Sequence, residues 1–244
     1  MRAILKCGIF VLSMVLIVGL VIPPGALAEK VIKIGVIYPL TGGAAAAGRE
    51  LRAGVELAVE IANNAMSDIN MTMAKAAGIT SMGGAKIEII FKDHEGNPTL
   101  GADLAKKLIL DDKVDGLLGC YHSSVTKTVS AVAEQYGVPM INGSSTSPAL
   151  TKRGFKWFWR TTPHDVWFTK DLFEFLNGLT EGKVKGVQAV PKKDIMNLSS
   201  ACEKTEWGSF VSEVIQQFAK EYGYDIRKSM LYAKESPDLS SEVR

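Results

Sequence analysis

Hydroxyl-bearing side chains and glycines follow three of the apolar segments that are predicted to form buried strands. These loops occupy residues 39–43, 120–124 and 143–148. Such loops present backbone N–H groups and hydroxyls at helix N-termini, where the helix macrodipole favours an anion. A carboxylate would bind there without a Lys or Arg partner. The alternative is structural, because Ser123, Ser124 and Ser147 are also ordinary helix caps and turn residues.

The sequence lacks the motifs that bind nucleotides or present a catalytic serine. The spacing of Gly43 and Gly48 resembles a phosphate-binding loop, but Arg49 and Glu50 follow where that motif has Lys and Ser or Thr. Neither Gly-x-Gly-x-x-Gly nor Gly-x-Ser-x-Gly occurs. Nucleoside triphosphate binding, dinucleotide binding and serine hydrolase chemistry therefore have no support.

The histidines do not form a metal-binding or catalytic pattern. His94 and Glu95 match half of a zinc-protease motif, but Gly96 and Pro98 would break the helix that the motif needs. The three histidines, at positions 94, 122 and 164, have no ligand spacing among themselves. We interpret them as surface or loop residues and assign no metal, no cofactor and no catalytic base.

Four tryptophans could contribute an aromatic wall to a binding site. Trp157 and Trp159 alternate along an extended segment and are predicted to pack in the core or at a hinge. Trp167 and Trp207 begin two later helices and are predicted to face a cleft. An aromatic wall in that cleft would suit an apolar or aromatic ligand.

Strands and helices alternate along the chain, which indicates a parallel sheet with helices on both faces. In the first half we predict strands at 31–37, 86–91, 114–119 and 138–142, and helices at 51–62, 99–110 and 124–136. After an aromatic-rich segment the pattern restarts, with helices at 165–179 and 207–222 and strands at 184–190 and 225–232.

This pattern predicts an α/β fold of two doubly wound parallel-sheet lobes, at residues 31–160 and 161–244. The second lobe is predicted to be incomplete, because an average sheet has about five or six strands and two are found here. Residues 67–85 and 191–206 are longer than ordinary connections and are predicted to be surface insertions.

The first 28 residues have the order of a signal peptide. Basic residues, an apolar run from Cys7 to Ile22 and a small-residue end at Ala28 follow one another. We predict cleavage after Ala28 and an exported protein, the alternative being an uncleaved anchor. Because Arg2 and Lys6 leave with the leader, the remainder is balanced in charge, which argues against nucleic acid as a partner.

Two cysteines, Cys120 and Cys202, remain after the leader. Cys120 ends a predicted buried strand, and Cys202 lies in a stretch predicted to be irregular. An oxidising compartment would allow them to pair, but these different settings favour two free thiols.

Several segments resemble the periplasmic leucine/isoleucine/valine-binding proteins. They are Ile-Lys-Ile-Gly-Val-Ile-Tyr-Pro-Leu-Thr-Gly at 32–42, Tyr-Gly-Val-Pro-Met-Ile at 136–141, Ser-Thr-Ser-Pro-Ala-Leu-Thr at 145–151, and Arg-Thr at 160–161. The resemblance covers residues 31–244 with gaps and implies a type I periplasmic-binding-protein fold. It also implies two lobes that close on a ligand, and delivery to an ABC-transporter permease in the membrane.

The resemblance also implies site residues. Hydroxyls and backbone amides of the first lobe hold the amino-acid carboxylate in that family, and these roles fall on Ser123, Ser145 and Thr146, with the backbone of Tyr121 alongside. Trp207 matches a cleft-facing aromatic residue. Ala47 stands where an aromatic residue is common, which would widen the cleft, and the family's acidic partner for the ligand ammonium would lie beyond Arg244.

These observations favour an extracytoplasmic binding protein of an ABC transporter. Its ligand would be a branched-chain amino acid or a related small carboxylate or amide, held between the lobes. An exported ligand-sensing receptor module of the same fold is the alternative, and genome neighbours encoding permeases and ATPases would distinguish the two. An enzyme is disfavoured because no nucleophile, base or metal set was found.

Overall fold

The first five strands form a single parallel sheet in the order β2-β1-β3-β4-β5. The structure, a computed structural model, describes residues 30–234, 236 and 238–240, so the predicted signal peptide lies outside the described residues. The strands are β1 (Val31–Tyr38), β2 (Lys86–Asp93), β3 (Gly116–Gly119), β4 (Met140–Asn142) and β5 (Phe158–Arg160). Because all of them run the same way, their carboxyl ends and the loops that follow lie at one edge of the sheet.

Three helices pack on this sheet: α1 (Ala45–Asn63), α2 (Pro98–Leu110) and α3 (Ser123–Tyr136). Helices α2 and α3 cover one face and form the main core with Ile37, Leu117 and Met140. The opposite face packs against α1, beside which lies an open apolar groove of about 880 Å³ that extends to Leu118 and Ile141. The core of the first lobe is therefore concentrated on one face of the sheet.

A second, two-stranded parallel sheet follows. Its elements are α4 (Asp165–Thr180), α5 (Lys192–Ile195), β6 (Asn197–Glu203), α6 (Glu206–Tyr222) and β7 (Asp225–Tyr232). Helices α4 and α6 pack together through an aromatic cluster that contains Phe173, Phe218 and Tyr224. The predicted α/β architecture with two parallel sheets is confirmed. No helix among the described residues is long and apolar enough to span a bilayer.

The predicted strand at residues 184–190 is wrong. That segment is an exposed turn that contains Gly186 at φ 78°, whereas the strand β6 lies in the stretch predicted to be an insertion. The buried Ser200 on β6 is satisfied by a chain of serine hydroxyls that continues through Ser229 on β7 to Ser212 on α6. Ser229 Oγ lies 3.0 Å from Ser200 Oγ and 2.9 Å from Ser212 Oγ. Hydrophobic periodicity therefore did not detect β6.

Two tryptophans and one cysteine lie in settings that differ from those predicted from the sequence. Trp157 and Trp159 are 41% and 49% exposed, and it is Phe158, between them on the edge strand β5, that enters the core. These tryptophans were predicted to pack in the core or at a hinge; the core alternative is wrong, and the hinge alternative stays a prediction. Cys202 lies on β6 rather than in irregular chain, but Cys120 and Cys202 are both free, as predicted.

Close packing at the start of α1 provides a stability prediction. A Cβ added to Gly48 would lie 1.9 Å from the carbonyl oxygen of Pro39. Gly48→Ala should therefore force α1 away from β1 and lower the free energy of unfolding by about 1–3 kcal/mol, measured by urea denaturation. Gly54→Ala is the matched control on the same helix, since nothing lies within 4 Å of its added Cβ. That variant should gain about 0.5–1 kcal/mol from helix propensity, and equal effects of the two would contradict the packing argument.

Candidate functional site

Asp93, the last residue of β2, holds the loop that follows β1. Its carboxylate accepts hydrogen bonds from Leu40 N at 2.9 Å and from Thr41 Oγ1 at 2.6 Å. Burial would raise the pKa of Asp93, but these bonds and one from Glu95 N outweigh it and lower that pKa. The first loop is thus attached to the neighbouring strand by a carboxylate that stays ionised.

Asn142, at the end of β4, connects the loops that follow β3 and β4. Its fully buried side-chain amide donates to Gly119 O at 2.9 Å and to Cys120 O at 2.7 Å, and its Oδ1 accepts from Ser145 N at 2.9 Å. Sequence reasoning did not select Asn142 as a site residue. The sequence feature that could have identified it is a polar residue at the end of a predicted buried strand.

Ser145 lies beneath the surface of the site rather than on it. The residue is 1% exposed. Its Oγ lies 2.6 Å from Thr126 Oγ1, 3.1 Å from Asn142 Nδ2, and 3.0 Å from each of the carbonyl oxygens of Cys120 and Tyr121. Because protein groups surround this hydroxyl, Ser145 is corrected from a ligand contact to a support of the two loops.

Thr146 meets Trp207 across the junction of the two lobes. Trp207 Nε1 donates to Thr146 Oγ1 at 3.0 Å and to Asp165 Oδ1 at 3.1 Å. Beside this contact, Lys127 on α3 pairs with Glu206 on α6 at 2.9 Å. Two site residues that are 61 positions apart in the chain are therefore in direct contact.

Tyr121 and Ser123 lie at the start of α3. Ser123 is half-buried, and its Oγ accepts a long hydrogen bond of 3.4 Å from Ser147 N. Tyr121 is exposed, with its ring edge-on to His122 at a centroid distance of 5.2 Å. Within the described chain, no side chain caps α3 at His122. The first N–H groups of α3 thus begin at the same edge as Thr146.

His94 lies in the loop between β2 and α2, which agrees with the loop alternative of its interpretation, but it is buried and not at the surface. It has no exposed surface, and its ring meets His122 edge-on at 5.4 Å. Its Nδ1 accepts from Gly96 N at 2.9 Å, so the neutral ring carries its proton on Nε2. Burial, with His122 nearby, lowers the pKa of His94 to about 4.

Trp167 was predicted to share the cleft wall with Trp207, and the structure places it elsewhere. Its Nε1 donates to His164 Nε2 at 2.8 Å, and it lines a separate cavity of about 380 Å³ with Arg160 and Asp171. Among the residues described, no group of three or more His, Cys, Asp or Glu side chains could hold a metal ion.

The protein-family model that describes periplasmic binding proteins matches residues 31–244. A curated relative from Brucella suis, "Leu/Ile/Val-binding protein homolog 7", is 28% identical over 217 residues, which are 88% of this chain and 49% of the relative. The chain spans about half the length, or less, of the curated relatives it matches. The resemblance predicted from the sequence is confirmed.

Solved structures share the fold. A solute-binding protein of an ABC transporter from Rhodopseudomonas palustris, in complex with 3,4-dihydroxybenzoic acid, aligns with a TM-score of 0.69 at 20% identity, over 88% of this chain and 51% of that one. A branched-chain amino acid transporter substrate-binding protein from Streptococcus pneumoniae, in complex with isoleucine, aligns with a TM-score of 0.67 at 22% identity, over 88% of this chain and 53% of that one.

The buried histidine predicts a dependence of stability on pH. Because its pKa falls from about 6.5 in the unfolded chain to about 4 in the fold, His94 binds protons more readily when unfolded. Its contribution to stability is therefore present above about pH 6.5 and is lost as the pH falls towards 4. Urea denaturation at about pH 7.5 and pH 5 should show a loss of about 2 kcal/mol from this residue.

His94→Asn is the comparison variant, because an Asn side-chain oxygen can replace Nδ1 as the acceptor for Gly96 N. Its loss of stability between the two pH values should be smaller than that of the original protein. Parallel losses in the two proteins would contradict the assignment.

Proposed function

This chain belongs to the periplasmic binding protein family, and from that premise we propose that it is an extracytoplasmic solute-binding protein of an ABC transporter. Its solute is a branched-chain amino acid or a related small carboxylate or amide, bound between the two lobes. Its partner is the transporter's membrane permease. The balanced charge outside the leader supports a small solute rather than nucleic acid as the ligand.

The contact between Trp207 and Thr146 is the observation that carries this proposal. It joins a strand-end loop of the first sheet to the first turn of a helix in the second lobe at 3.0 Å. In open parallel α/β sheets ligands bind beyond the carboxyl ends of the strands, and here that edge of the first sheet faces an indole. A solute between these surfaces would meet polar groups on one side and an aromatic ring on the other.

The polar side of the junction suits a carboxylate. The first turn of α3 has no acidic residue, and an uncapped helix N-terminus favours an anion. Ser123 and Thr146 add hydroxyl donors beside it. The guanidinium of Arg160, which donates to Ser147 O at 2.7 Å, adds positive potential behind the same loop. We therefore assign carboxylate binding to Ser123, Thr146 and the backbone after Tyr121.

The aromatic side of the junction suits the remainder of the solute. The two solved relatives of this fold hold isoleucine and 3,4-dihydroxybenzoic acid, which share a carboxylate and differ in the group attached to it. Trp207 can pack against either an aliphatic or an aromatic group, and Ala47 leaves space in the apolar groove that it lines with Tyr121. The proposed specificity is thus for the carboxylate first and for an apolar side chain second.

A binding screen tests the function. Thermal-shift assays followed by calorimetry over amino acids, amides and aromatic acids should identify at least one carboxylate ligand. Ser123→Ala combined with Thr146→Ala should weaken that ligand by about tenfold to a hundredfold, because each hydrogen bond to a charged group contributes about 1.5–3 kcal/mol and water compensates in part.

Thr180→Ala, at the far end of α4, is the control and should bind as the original protein does. Unchanged affinity in the double variant would show that the carboxylate site is wrongly assigned. Failure of every carboxylate in the screen would contradict the proposed solute class.

A further inference from the structure

Asp165, the first residue of α4, is a charged residue that is only 6% exposed. Its backbone N–H donates to Thr146 O at 3.1 Å, and its Oδ1 accepts from Trp207 Nε1 at 3.1 Å. Its Oδ2 is buried and has no hydrogen-bond partner among the described residues. Burying a carboxylate is costly unless nearby groups compensate for the lost contact with water.

Positive potential around Asp165 favours its carboxylate, although Trp207 is the side chain that donates a hydrogen bond to it among the described residues. The place of Asp165 in the first turn of α4 brings the positive end of the helix macrodipole. Electrostatic attraction from Arg160 adds to this. Glu206, which precedes Trp207 in the chain, is held by Lys127 at 2.9 Å. The carboxylate of Asp165 is therefore available to Trp207 as a hydrogen-bond acceptor.

The indole of Trp207 has one N–H, which is its only polar atom. That N–H is shared between Thr146 Oγ1 in the first lobe and Asp165 Oδ1 in the second. A carboxylate is the stronger acceptor of the two, since charge-assisted hydrogen bonds are roughly twice as strong as neutral ones. The bond between Asp165 N and Thr146 O holds the two acceptors next to each other.

We propose that Asp165 is a positioning residue that orients the indole of Trp207 against Thr146, and so sets both the aromatic wall of the cleft and the contact between the lobes. This inference rests on the proposed function for its effect on solute binding. Asp165 acts through Trp207 and does not touch the solute. Loss of its carboxylate frees the indole to adopt other rotamers, so that a solute must order the ring when it binds.

The indole N–H signal of Trp207 in ¹H–¹⁵N NMR spectra tests the proposal without any solute. The four tryptophans give four indole signals, and Trp207→Phe identifies the relevant one by its disappearance. We expect this signal to be protected from solvent exchange in the original protein. Asp165→Ala should speed its exchange by about tenfold, the factor that corresponds to one lost hydrogen bond. Asp165→Asn, which keeps an oxygen acceptor but no charge, should give a smaller increase.

Asp171→Asn, an exposed change on the same helix, is the control and should leave the signal unchanged. Thr146→Val removes the second acceptor and should raise exchange while Asp165 keeps the ring near its place. An indole signal that is unchanged in both Asp165 variants overturns the proposal. A lower melting temperature with unchanged indole exchange would show a purely structural role, and it also overturns the proposal. If Asp165→Ala does not fold, Asp165→Asn and Thr146→Val decide the question.

Solute binding then separates the two proposals. With a ligand from the screen, Asp165→Asn should weaken affinity by about fivefold to tenfold, a modest loss typical of a group that acts through another. If the indole responds as expected and no solute binds, the positioning role stands and the proposed function fails. If solutes bind and affinity is the same in the variant, the positioning role fails and the proposed function stands.

Discussion

The buried amide of Asn142 is the interaction on which the geometry of the site depends. Parallel strands end at one edge of a sheet, but their loops still need to be held relative to one another. Asn142 does this by donating to two carbonyl oxygens after β3 and accepting from the loop after β4. Because an unsatisfied buried amide is costly, neither loop can move without breaking several hydrogen bonds.

The polar groups of the site are of two kinds: some form hydrogen bonds that hold the loops in place, and others are partly exposed. Asp93 and Ser145 form hydrogen bonds with the loops and so hold them in place. Ser123 and Thr146 remain half-exposed next to these supports. This arrangement explains how a cleft of small, uncharged residues can be rigid. The groups proposed to face a solute are those whose neighbours have already been satisfied within the protein.

Two side-chain contacts between the lobes lie next to each other at the start of α6. A tryptophan reaches from α6 to the first lobe, and a salt bridge between Lys127 and Glu206 lies beside it. The salt bridge is exposed and contributes little by itself. The indole adds a directional contact between the lobes, which connects packing in the second lobe to the edge of the first sheet.

The sequence by itself determined the α/β class, the two parallel sheets and the free cysteines, and it selected the loops that we propose as the binding site. These follow from local patterns: β-branched runs, helical spacing, and the rule that parallel strands end at one edge. Ser123, Thr146 and Trp207 were selected in this way and through resemblance, and the contact between Thr146 and Trp207 supports the choice of loops.

Only the tertiary structure decided which polar side chains face outward and which are buried. Ser145 and Thr146 are adjacent and chemically alike, yet one is enclosed by carbonyl oxygens and the other meets an indole. Strand β6 was missed because its buried Ser200 is satisfied by Ser229, which lies 29 positions away along the chain and in turn bonds Ser212 on α6. His94 was predicted to be a surface or loop residue; it lies in a loop, but nothing local shows that its ring is buried beside His122. Burial and hydrogen-bond partners depend on residues far apart in the sequence, so local spacing does not determine them.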